Sequence, residues 1–129
     1  PQTYDILVID AFSGDAVPTH LLSVEAFAVY ERHIKPNGLL AFHVSNRYFN
    51  LGILVQGLAD RFQFQTRCVL HNPGVMNIDR PPSAWMLVSR SNRVLDDKAI
   101  LEKTYHFEDD WRRIPLWTDH YSSLGPLLW

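Results

Sequence analysis

Two carboxylates, Asp10 and Asp15, flank a short loop containing Ala11, Ser13 and Gly14, directly after the apolar run Ile6-Leu7-Val8-Ile9. An unbroken, largely β-branched run without polar alternation reads as a strand buried on both faces, as in parallel α/β sheets. Ligands of open α/β sheets bind beyond the carboxyl ends of the strands, which is where Asp10 falls. A carboxylate so placed can anchor a cationic ligand or take a proton from an amine. The plainer role for an Asp after a strand is to cap a helix or fix a turn. Two acids around a Gly-containing loop favour the ligand-facing role.

The other reactive side chains are more scattered. The six histidines are His20, His33, His43, His71, His106 and His120, and none pair at the spacing of metal ligands, so no metal site is expected. His43, at the end of a second apolar run, is the one histidine expected near the acids. Neither Ser13 nor Ser45 sits in a G-x-S-x-G elbow. Cys68 falls within a predicted strand and reads as a small buried hydrophobe. The chain contains no G-x-G-x-x-G and no P-loop, so nothing in it cradles a nucleotide by itself.

The elements that must position these groups follow from periodicity. Ser23 is an expected N-cap, with Glu25 favoured in the first turn by the helix dipole. Val24, Phe27, Ala28, Tyr30, Glu31 and Ile34 mark an amphipathic helix over 24–34. His33, Lys35, Pro36, Asn37 and Gly38 stop it, Lys35 compensating the dipole at the C-terminal end. Leu39 to Val44 is a second strand, parallel to the first through a right-handed βαβ crossover. That crossover brings His43, Ser45, Asn46 and Tyr48 towards Asp10. A second helix is predicted over 51–62, where Gly52 and Gly57 either weaken it or permit close approach to the sheet. Strands follow at 64–70 and 83–89, joined without a helix and so expected as an antiparallel pair at one edge. An irregular loop is expected over 75–82. Residues 96–103 read as a short helix, and Glu108-Asp109-Asp110 as a solvated segment. The tail, Pro115 to Leu124, combines aromatic and polar groups and is expected to fold back over the strand ends, with Thr118 or Asp119 capping a final short helix.

Composition bounds the class. The chain has 129 residues, is 47% hydrophobic and 20% charged, and carries a formal net charge of −2, which gives no sign of a nucleic-acid surface. A single cysteine excludes a disulfide within the chain and suggests a reducing compartment. No apolar stretch approaches the roughly 20 residues that span a bilayer. The first strand begins almost at Pro1, which suggests a piece of a longer protein.

Taken together, the stretch from Tyr4 to Leu22, the segment Glu25-Ala26-Phe27, the stretch from Lys35 to Tyr48 and Trp117-Thr118-Asp119-His120-Tyr121-Ser122 resemble the polyamine aminopropyltransferases (spermidine synthases). The similarity is closest to the bacterial branch in which such a domain follows a transporter-like membrane region. It covers most of the chain and is strongest over 4–48.

The resemblance implies a C-terminal half of a Rossmann-like, S-adenosylmethionine-dependent methyltransferase type α/β sheet, mostly parallel with an antiparallel edge pair. It makes 1–129 a single partial domain, with an α/β core over 1–90 and a helical, aromatic tail over 91–129. It implies transfer of the aminopropyl group of decarboxylated S-adenosylmethionine to a diamine such as putrescine. Asp10 then resembles the catalytic aspartate that helps deprotonate the attacking amine. Asp15 matches a second acid that holds the diamine's ammonium group, across a longer loop than is usual in the family. His43, Ser45 and Tyr48 fall on the substrate side, Trp117 or Tyr121 matches a tail aromatic of the diamine pocket, and Asp10, Ala11 and Phe12 fall beside the cosubstrate. The strands that build most of the adenosyl site precede this region in the family. The chain alone is therefore expected to bind the cosubstrate weakly and to lack turnover, to expose its first strand as an edge that invites a homodimer, and to work in the cytoplasm, with fusion to a membrane domain in the full-length protein. Two other readings stay open: a methyltransferase-fold protein acting on another small amine, and a non-catalytic ligand-sensing domain of a membrane protein.

Overall fold

The computed structural model describes residues 2–11, 15–72, 82–108 and 110–129. Phe12, Ser13, Gly14, most of the loop expected at 75–82 and Asp109 lie outside them. The elements are β1 (Tyr4–Ile9), α1 (Val24–His33), β2 (Ile34–His43), α2 (Leu51–Arg61), β3 (Gln65–His71), β4 (Ser83–Ser89), α3 (Asn92–Leu95), α4 (Lys98–Leu101) and β5 (Thr104–Tyr105), with short 3-10 turns at Thr19–Leu21, Trp111–Arg113 and Gly125–Leu127. The short helix expected at 96–103 is present as the single turn α4, with a second single turn, α3, before it and the short strand β5 after it. No helix among the described residues is long and apolar enough to cross a membrane.

The strands form one five-stranded sheet in the order β1-β2-β4-β3-β5. Only β1 and β2 pair in parallel; β2 with β4, β4 with β3 and β3 with β5 are antiparallel. The fold is α/β, as expected, but the sheet is mixed rather than mostly parallel. The antiparallel β3–β4 pair is present, yet β4 is inserted between β2 and β3 instead of lying at the edge. Sequence explains the choice. Ala84-Trp85-Met86-Leu87-Val88 is apolar on both faces and suits a central position, whereas β3 carries Gln65, Thr66 and Arg67 and tolerates a more exposed one. Because β4 runs against both neighbours, β1, β2 and β3 all point the same way, and their carboxyl ends share one side of the sheet.

The first strand is an edge, and its burial is one-sided. Ile9 is buried, but Ile6 is 60% and Val8 54% exposed. The unbroken apolar run therefore does not lie between two covered faces: successive side chains alternate, and only the face bearing Leu7 and Ile9 meets the core.

That core is aromatic. Phe27 of α1 stacks on Phe42 of β2 (5.9 Å) and on Phe62 just past α2 (4.9 Å), and meets Phe64 edge-on (5.7 Å). Helix α1 and the end of α2 thus lie on one face of the sheet. Ser23 caps α1, its Oγ accepting from the Ala26 N–H at 3.1 Å. The same hydroxyl donates to Asp119 Oδ1 at 2.7 Å, the Asp119 N–H donates to Glu25 Oε2, and the Val24 N–H donates to the Trp117 carbonyl. The tail is therefore fastened to the start of α1, and Asp119 receives a cap residue's proton rather than capping a helix of its own.

Helix α1 passes into β2 at Ile34 without a loop. Lys35, expected to serve the helix dipole, lies in β2 and pairs with Asp5 across the strands at 2.8 Å, both side chains largely exposed, a contact of little energetic weight. The register slips between Tyr4 and Ile6 of β1, opposite Lys35 to Gly38. A Cβ on Gly38 would stand 2.6 Å from the Ile34 side chain and 3.1 Å from the Asp5 carbonyl oxygen, and the Gly38 carbonyl accepts the buried Ser89 hydroxyl at 2.8 Å. Both sides of this backbone are occupied. Gly38→Ala is expected to lower stability by about 1–3 kcal/mol through overpacking, read as a lower urea midpoint at an unchanged slope. An unchanged midpoint would show that Ile34 moves aside freely.

Candidate functional site

The parallel register that pairs Ile9 with Phe42 sets the next residues, Asp10 and His43, side by side at the sheet's carboxyl end. The His43 Nδ1 lies 2.9 Å from Asp10 Oδ1, and its Nε2 lies 2.8 Å from Ser45 Oγ. The Ala84 N–H donates to that same Oγ at 2.7 Å. A backbone N–H can only donate, so the serine hydroxyl is free to give its own proton to Nε2. The neutral imidazole then carries its hydrogen on Nδ1 and donates it to the carboxylate. The ring is also stacked on Trp85, its partner across β4, at 4.8 Å. One oxygen of Asp10 is thereby held, while Oδ2 has no partner among the described residues and the side chain is about half exposed. The result is a fixed carboxylate with one oxygen open to a ligand.

Asp10 lies in a hollow of about 460 Å³ between β1 and α1, with Ala11, Leu7 and Tyr30 among its walls. Tyr30 gives its hydroxyl proton to the Leu21 carbonyl at 3.0 Å, and burial pushes its phenol above the ordinary value of 10.0, so it stays neutral there. A larger cleft of about 750 Å³ lies at the ends of β2 and β3, and Asp15, Ser45 and Asn46 line it. Ser45 therefore faces the larger cleft while Asp10 faces the smaller hollow, and His43 joins them.

Asn46 organises the loop after β2. Its Oδ1 accepts the N–H groups of Tyr48 and Phe49, and its Nδ2 reaches the Asp15 carbonyl at 3.4 Å. Asp15 is thus brought near Ser45 through its backbone. Tyr48 is half exposed, with its ring edge-on to Phe49, and lines neither hollow. Of the two tail aromatics, Trp117 requires correction: it is fully buried in the core and spends its indole N–H on the Ser123 carbonyl. A ring that size, apolar on both sides, gains more from the core than from a half-wet pocket. Tyr121 is exposed, bridged to Thr118 through the backbone, and also lines neither hollow. The tail does return to the strand ends, but through its last residue: Trp129 donates its backbone N–H to the Tyr48 carbonyl and its indole N–H to the Asn46 carbonyl, and it lines the larger cleft. Of the three residues expected beside a cosubstrate, Asp10 and Ala11 line the smaller hollow and Phe12 is outside the described residues.

Sequence reasoning passed over Trp85, the Ala84 N–H and Asn50. The first two depend on an antiparallel register that no local pattern announces. Asn50, an Asn just before an apolar helical run, carried the ordinary signal of an N-cap. Among the described residues no group of three or more His, Cys, Asp or Glu is placed to hold a metal. No family model matches the chain, and no curated protein matches it.

Cys68 lines the larger cleft but is 4% exposed, and burial pushes its thiol from 9.0 up to about 11. The unfolded chain releases this proton first. The stability so contributed is complete below about pH 9 and is lost as the pH rises through about 11. Across that window the unfolding free energy of the native protein, read from urea curves, is expected to fall by about 2 kcal/mol more than that of Cys68→Ala. The scale follows from the proton-binding free energy of a single group, about 1.4 kcal/mol for a tenfold change in its acid constant. Parallel pH dependence in the two proteins would contradict the assignment.

Proposed function

We propose that this chain supplies the amine side of an aminopropyltransferase of the spermidine-synthase type, with Asp10 as the proton acceptor. The observation that carries the reading is the Asp10 carboxylate itself, fixed through Oδ1 by His43 at 2.9 Å and open at Oδ2. An alkyl amine has a reference pKa near 10.4 and cannot attack until it loses a proton. In the proposed step the amine nitrogen attacks the carbon beside the sulfonium of decarboxylated S-adenosylmethionine. The new C–N bond forms as the C–S bond breaks, the sulfonium leaves as a neutral thioether, and the amine proton passes to Asp10 Oδ2. His43 and Ser45 position the base and touch no reacting atom. Asp15, in the lining of the larger cleft, is the second acid, taking up the ammonium at the far end of the diamine.

The finer fold assignment belongs to the same proposal. Three co-oriented strands with helices between the first pairs, and reactive groups gathered at their carboxyl ends, support the C-terminal half of a Rossmann-like, methyltransferase-type sheet. The exposed Ile6 and Val8 on an edge strand that ends in Asp10 support a neighbour at that edge, contributing the cosubstrate side. In the isolated chain that edge would be taken by a second copy, giving a homodimer. The compartment that goes with this reading is the cytoplasm.

The test is turnover by the full-length protein with putrescine and decarboxylated S-adenosylmethionine. Asp10→Asn keeps the shape of the side chain and removes its basicity. It is expected to lower kcat by about 10²- to 10⁴-fold, with an unchanged thermal transition. Full activity in the variant would overturn the role of Asp10, and an inactive parent would overturn the reaction.

A further inference from the structure

Asn50 is 2% exposed, yet neither its side-chain oxygen nor its side-chain nitrogen has a hydrogen-bond partner among the described residues. Buried amides in native proteins are almost always paired, so an orphan needs a reason. Its backbone is well held, the N–H donating to the Leu127 carbonyl at 2.7 Å. The side chain precedes α2 but does not cap it. The amide is therefore not used by the fold around it.

Asn50 is part of the wall of the larger cleft, about 750 Å³. Its lining includes the aromatic side chains of Phe107, Tyr105 and Trp129, together with Gly52 and the charged Asp15 and Arg47. Gly52 matters because a Cβ there would run into the Phe107 ring, so glycine lets that ring seat against the first turn of α2. The cleft thus combines three aromatic rings with a buried amide whose donor and acceptor both lack partners among the described residues.

We propose that this cleft binds a flat aromatic or heteroaromatic ligand bearing an amide-type edge, a hydrogen-bond donor beside an acceptor. A change of rotamer turns the Asn50 amide from the wall into the cleft. Its Oδ1 then accepts from the ligand and its Nδ2 donates to it, the two-bond pairing by which Asn reads the edge of an adenine. The aromatic walls hold the ring by stacking and by apolar burial. A simple anion is a poorer fit, because it satisfies Nδ2 and leaves Oδ1 facing like charge. The assignment does not use Asp10, which lines the other hollow, but Asp15 and Ser45 of this cleft also belong to the proposed reaction.

The probe is benzamide, with benzoate as the acceptor-only control, followed by ¹H–¹⁵N spectra of the protein. Benzamide is expected to shift the Asn50 side-chain NH₂ pair saturably and to bind at least tenfold more tightly than benzoate. Asn50→Leu is expected to abolish that binding while leaving Tm equal or higher, because an unsatisfied group has been removed. Should that variant fail to fold, Asn50→Asp keeps the shape, and it is expected to weaken benzamide at least tenfold. Tighter binding of benzoate would overturn the proposal in favour of an anion site. Absence of saturable shifts, or a folded Asn50→Leu with a lower Tm, would overturn it in favour of a structural amide satisfied by water.

Discussion

The parallel pairing of β1 with β2 is the constraint on which the site depends. With Ile9 opposite Phe42, the chain leaves both strands at the same end and at the same height. Asp10 and His43 meet for that reason alone. A slip of one residue would turn either side chain to the opposite face of the sheet. What holds the register is also what holds the fold: Phe27 of α1 stacked on Phe42, and Gly38 fitted between Ile34 and the Asp5 carbonyl. The crossover helix, the bulge and the aromatic core act together to bring two residues far apart in sequence to 2.9 Å.

The second support comes from β4. It gives the Ala84 N–H that orients the Ser45 hydroxyl, and the Trp85 ring against which His43 lies. With that backbone donor in place, the hydrogen-bond chain has a direction, from Ala84 through Ser45 and His43 to Asp10. The order of contacts between acid, imidazole and hydroxyl matches that of the Ser-His-Asp hydrolases. Here the hydroxyl already accepts a backbone proton, which blunts it as a nucleophile, and the carboxylate is the group with an open oxygen. In the proposed reaction the chemistry is therefore assigned to the acid end of this hydrogen-bond chain.

Much of this was legible in the sequence because it is local. The N-cap at Ser23, the helices of α1 and α2 to within one residue at their ends, and the strand at 83–89 all follow from caps, periodicity and apolar runs. For Gly52 and Gly57, close approach to the sheet was one of two readings; they permit close approach instead to Phe107 and Leu116, which follow β5. The order of the strands was not legible in the same way. The absence of a helix between β3 and β4 suggested an edge pair, and the apolar character of both faces of β4, which suits its central place, was not used. Burial of β1 failed for a related reason: an apolar run shows that both faces are fit to be covered, and not that this chain covers them. Trp117 was expected in a pocket and lies in the core, while Trp129, given no role, lines the larger cleft, because composition cannot say which tail indole is buried. Asn50 carried an N-cap signal, but that its side chain caps nothing and is left unpaired among the described residues is visible only in the structure.

The most direct test of the central claim is the protonation of the His43 ring, observed by ¹⁵N spectroscopy of the neutral imidazole. The hydrogen-bond chain predicts a proton on Nδ1, bonded to Asp10, and a bare Nε2 accepting from Ser45, with that preference lost in Asp10→Asn. A neutral ring protonated on Nε2, or one indifferent to the Asp10 substitution, would contradict it, because the carboxylate would then not be the group that the rest of the site holds in place.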